Sequence, residues 1–185
     1  MVELPPFQAA VLVHFFEKAP VADTANTLDF RFTGEFTGTF YAAHIAFAPQ
    51  SAYEGCSLVT TLATHSEIVF FAVSGSSEVE VARVLGNLED YDRETRSLST
   101  GDAIRIPGTH SANADLHAVV LLRPATLSGF DEFNDCFTIK GRHLRFVVAL
   151  FLTEEEYLFR KKHGHDALMD RFADECRSVV VFEPP

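Results

Sequence analysis

The run HLRFVVALFL, residues 143–152, constrains the fold more than any other part of this chain, because every residue after Arg145 in it is apolar. A half-exposed strand alternates apolar and polar residues, whereas a strand that is apolar on both sides has to be covered on both sides. A sheet with other structure packed against each face is therefore expected. EIVFFAV, residues 67–73, is a run of the same kind. CSLVTTLATH before it predicts a neighbouring strand, and the boundary at Thr64–Glu67 is a tight turn or a bulge. The material for two covered faces is present: 47% of the residues are hydrophobic and 18 are phenylalanine, with no tryptophan and two methionines. At 185 residues the chain buries a sizeable core without staples.

Between Leu28 and Ala48 the pattern has period two, which predicts two strands joined around GEFTG, residues 34–38. AIRI, LHAVVLLRP, FTIKG and SVVVF predict further strands. Pro5 and Pro6 ahead of FQAAVLVHFFEK predict a helix with proline in its first turn. A second helix follows SGSS, with Ser77 and Glu80 as a capping box and Val81, Val84, Leu85, Leu88 and Tyr91 as its buried face. Thr153 and Glu156 form another box, opening a third helix that ends in Lys161, Lys162 and His163, with Gly164 beyond it. Asp166 is expected to cap a fourth helix, whose Leu168, Met169 and Phe172 face the core. The fold class is α+β, with a mixed, largely antiparallel sheet and packed helices, as a single domain over residues 1–185.

The net charge of −11 argues against nucleic acid, whose phosphates require basic patches. It suits solubility, or a basic protein partner steered by charge. Cys56, Cys136 and Cys176 are odd in number and widely spaced, which fits neither a disulfide framework nor a zinc knuckle and points to a reducing, cytoplasmic setting. The N-terminal apolar stretch is interrupted by His14 and Glu17 and is too short to span a bilayer, so no membrane partner is expected.

The sharpest chemical motif is GDAIRIPGTHSAN, residues 101–113, in which a histidine follows a Pro-Gly turn as in cupin-type metalloenzymes. Gly101 and Pro107 fit that spacing, but Gly108 and His110 come too early. The upstream histidines, His14, His44 and His65, are singletons, so the expected pair of ligands is missing. His110 is then a loop residue, and a cupin-type enzyme is the alternative reading. His163, His165 and Asp166 straddle a helix-breaking glycine and lack the spacing that puts metal ligands on one helix face. Cys56 and Ser74 lie outside any nucleophile motif. Glu89, Asp90, Asp92 and Glu94 fall in a polar helical stretch and are expected to be solvated surface. No catalytic, cofactor or metal site is assigned.

From Gly101 onward the order of elements resembles the suppressor of fused family. GDAIRI leads to LHAVVLLRP and then to an apolar strand at Phe146–Leu152. A threonine with acidic residues at Thr153–Glu156, a glycine at Gly164, and a second helix at Ala167–Phe172 follow. Leu58, Val59, Thr60 and Ser66–Val69 are similar to an earlier pair of strands in that family, although Leu62 and Ala63 replace its glycine and methionine and its tryptophans are absent. The resemblance covers about two-thirds of the chain. It implies a protein-binding module without catalytic activity. In animals the family member binds transcription factors, and many bacterial relatives look like immunity proteins that neutralise toxins. A basic toxin domain is the partner so implied.

Overall fold

The long apolar run lies inside a sheet. In the computed structural model, which describes residues 3–31, 38–106 and 116–182, it belongs to a strand at Arg142–Thr153. The chain opens with helix α1 (Pro6–Lys18) and an antiparallel meander of β1 (Val21–Arg31), β2 (Thr39–Phe47), β3 (Ser57–Thr61) and β4 (Ile68–Ser74). Helix α2 (Glu78–Glu94) crosses to β5 (Ala103–Arg105) and β6 (Leu116–Leu122). A 3-10 turn at Pro124–Thr126 leads to β7 (Cys136–Ile139) and β8 (Arg142–Thr153), and then to α3 (Glu154–His163), α4 (His165–Asp174) and β9 (Val180–Val181).

The sheet order is β1-β2-β3-β4-β8-β6-β5, with β7 beside the first half of β8 and β9 beside the end of β4. The two most apolar strands meet at its centre in parallel, from Ile68↔Arg145 to Phe71↔Val148. Both outer positions of this path are edges, so the described strands form an open sheet and not the closed barrel of the cupin-type alternative.

Alternation sorts the side chains into two layers. Val69, Phe71 and Val73 of β4 and Phe146, Val148 and Leu150 of β8 face α1, α4 and the 127–139 connection. There Phe15, Phe71, Phe130, Phe133 and Phe146 pack with ring centroids 5.2–5.8 Å apart. Ile68, Phe70 and Ala72 of β4 and Val147, Ala149 and Phe151 of β8 face α2, which presents Val81, Val84, Leu85 and Leu88. The phenylalanines do the work that tryptophan and methionine do elsewhere.

Three local expectations are corrected. The first edge strand begins at Val21, well before Leu28, because its polar TANT segment carries no alternation to mark it. Ser77 caps nothing with its side chain: its backbone is left-handed (φ 59°, ψ 40°) where a capping box needs an extended residue, and that turn swings the chain from β4 into α2. Asp166 lies in the first turn of α4, not at its cap. Gly164, at φ 96°, joins α3 to α4 by itself and occupies the cap position. The Thr153 box forms as expected, with Glu156 N–H on Thr153 Oγ1 at 3.2 Å and Thr153 N–H on Glu156 Oε2 at 2.8 Å. The predicted GEFTG join falls almost wholly on residues 32–37, outside the described residues, and so do Pro107–Asn113 with His110.

Candidate functional site

Polar side chains gather where the β3–β4 connection crosses the last turns of α2. Leu62 N–H still reaches Tyr41 O at 2.9 Å, as a strand would, but Ala63 turns left-handed (φ 52°) and takes the chain off the sheet. Tyr41 N–H donates to Thr64 Oγ1 at 2.8 Å, and the His65 ring meets Phe40 edge-on at 4.6 Å. Gly38 makes room for that ring, since a Cβ there would lie 3.3 Å from His65 Nε2. Ser66 Oγ accepts from Ile68 N–H at 2.8 Å and donates to Asp92 Oδ2 at 2.7 Å. Asp92 Oδ1 in turn accepts from Leu98 N–H at 2.7 Å, tying the loop to the chain that leaves α2.

Beneath the loop lies Glu89, which is fully buried. Its Oε2 accepts the His65 N–H at 3.0 Å, while Oε1 has no hydrogen-bond partner among the described residues. Burial pushes this carboxyl up to about 7, against the pull of the His65 backbone and weaker help from Thr61 and the Thr64 backbone. Asp90, also buried, is pushed up by burial, with Arg93 at 3.1 Å opposing. The acidic stretch read as solvated surface is thus half interior: Glu94 is exposed, but Glu89 and Asp90 are not. The signal that would have found Glu89 is helical spacing. It stands four residues after Leu85 and eight after Val81, on the buried stripe.

A second polar knot sits where β8 parts from β4. There β9 adds to the end of β4, and Arg177 donates to Phe151 O at 2.8 Å and to both oxygens of Glu156 at 2.9 and 3.2 Å. Burial works against the Glu156 charge, but Arg177 and Thr153 outweigh it and hold its carboxyl below the usual range. A third buried polar group is His14, packed against Phe137, Phe146 and Phe133 at 3.8, 5.2 and 5.5 Å; burial lowers its pKa.

The other candidates do not converge. His163 ends α3 with its ring 4.5 Å from Phe159, while His165 and Asp166 belong to α4, beyond Gly164. Ser74 is buried and donates to the Ser76 carbonyl, and Cys56 is partly buried against the core ahead of β3. Among the described residues, no three His, Cys, Asp or Glu side chains are placed to hold a metal. The hydroxyls and carboxylates at the β3–β4 loop bond to one another and to the backbone, so what they fix is the loop.

Residues 46–183 match the model of the suppressor of fused protein (SUFU) family. The chain belongs to the suppressor of fused family. No curated protein sequence matches it. A crystal structure of a SUFU homolog from Neisseria gonorrhoeae FA 1090 is similar at TM-score 0.71 and 14% identity, over 97% of this chain and 95% of that one. Drosophila Suppressor of Fused is similar at TM-score 0.51 and 11% identity, over 95% of this chain but 48% of its own. A chain of the Sufu–Fu complex is similar at TM-score 0.52 and 10% identity, over 96% of this chain and 86% of that one. At these identities the likeness is one of fold, and it places the SUFU architecture over both halves of the sheet, including α1 and β1 ahead of the matched region.

Proposed function

We propose that this SUFU-family chain is a binding module that holds a protein partner and catalyses no reaction, and that the partner is a basic toxin domain which it neutralises. Family membership carries the reading, since a SUFU-like chain is found in complex with a protein, Fu. The charge of −11 favours a basic partner. The side chains that chemistry would need also have structural duties: Ser66 and Asp92 secure a loop, and Ser74 secures the turn after β4. No described helix is long and apolar enough to cross a membrane, and a cytoplasmic setting belongs to the same proposal.

Affinity purification of the tagged chain from its host, followed by mass spectrometry, is expected to return one stoichiometric protein with a basic domain. Co-expression should then restore growth to cells that the domain inhibits. A partner whose toxicity is untouched would remove the immunity role and leave the binding role. Purified chain with no protein enriched would remove both.

A further inference from the structure

We propose that the Leu62–Glu67 loop is a latch controlled by the charge on Glu89: closed over the carboxyl while it is neutral, and released when it ionises. The geometry supplies the parts. The loop's close bond to the carboxyl runs from His65 N–H to Oε2, with weaker pulls from Thr61 and the Thr64 backbone, and the buried Oε1 has no hydrogen-bond partner among the described residues. A neutral carboxyl tolerates that position; an ionised one has lost its water and gained one close donor. Release breaks the ties from Tyr41 N–H to Thr64 Oγ1 and from Ser66 to Asp92, and it relieves two costs. Ala63 holds a left-handed backbone that a non-glycine residue adopts at a cost, and His65 Nε2 is a second buried polar atom without a hydrogen-bond partner among the described residues. Lifting residues 64–66 would bring water to both groups at once.

The surroundings do not cancel the effect. From α2 itself come Asp90, which disfavours a charge on Glu89, then Asp92, committed to Ser66 and Leu98, and Arg93, which bridges to Asp90 and Glu94. The loop contributes the His65 ring, set against Phe40. β3 and β4, the strands under α2, carry no titratable side chain; β1 ends in Arg31 and carries Asp23 and Asp29, and β2 carries Tyr41 and His44. None of these last four acts on Glu89 strongly enough to offset its burial, which places the transition near neutral pH.

Amide hydrogen exchange followed by NMR tests the latch on the intact chain. Corrected for the intrinsic pH dependence of exchange, protection of the His65 amide is expected to fall at least tenfold from pH 5 to pH 8. It should also stay well below that of Leu85 in α2 at every pH, since a latch opens without global unfolding. In Glu89→Gln, which keeps an acceptor for His65 N–H without a charge, His65 protection should not change with pH. The latch is refuted if the wild-type His65 protection is flat with pH, or if it equals that of Leu85 throughout, because the loop then opens only when the protein unfolds. An unchanged pH response in Glu89→Gln would refute it as well. The wild-type measurement stands by itself if the variant folds poorly.

Discussion

A carboxyl removed from water needs donors around it or must keep its proton, and Glu89 has one close donor. The sign of its effect on stability follows. A carboxyl raised to about 7 in the folded chain, against an ordinary value of 4.5, favours folding fully below pH 4.5 and loses that contribution as pH rises to 7. Urea unfolding of Glu89→Gln and wild type should therefore diverge with pH. The variant is expected to gain on wild type by at most about 3 kcal/mol between pH 4.5 and pH 8, and parallel pH profiles would disprove the assignment. At this scale the sequence was only half legible. The helical stripe Val81–Leu85–Leu88 was plain, but the acidic letters around Glu89 suggested solvent, since nothing local announces that a loop from β3 will close over a glutamate.

Capping shows the same division among elements. Thr153 and Ser77 look alike in sequence, each with a glutamate three residues on. One forms the reciprocal box, and the other turns left-handed and caps nothing. Thr153→Ala is expected to cost about 1 kcal/mol, because α3 has no fully buried residue and depends on its ends. Ser77→Ala should change stability by less than about 0.5 kcal/mol. Thermal unfolding of the two variants separates them, and equal losses would contradict the cap geometry. Removing Arg177 is a harsher change: Arg177→Met leaves Glu156 with only its Thr153 donor and takes the guanidinium from the Phe151 carbonyl where β8 parts from β4, at an expected cost of about 2–3 kcal/mol. The helices and the strands were legible from period and turn chemistry, except for the extents of β1, which starts earlier, and of β3, which stops at Thr61 and not near His65. The pairing of Val180 with Val73 was not, because two residues carry no pattern.

For the whole molecule, an acidic chain that captures a basic partner should do so fastest at low ionic strength. The association rate is expected to fall about tenfold from 50 to 500 mM salt while dissociation changes little. Stopped-flow mixing measures both, and a rate indifferent to salt would exclude steering by charge. Layering was legible in the two wholly apolar runs, but their union was not: apolar strands state that they are covered, not which neighbour they take. That union bears on how the protein is made. β1 to β4 can pair as a meander while the rest is still on the ribosome, yet one side of β4, the most apolar of the four, stays open until Arg145–Val148 emerge. During that interval the nascent chain displays an unpaired, Phe-rich strand, the kind of surface on which chaperones and aggregation compete.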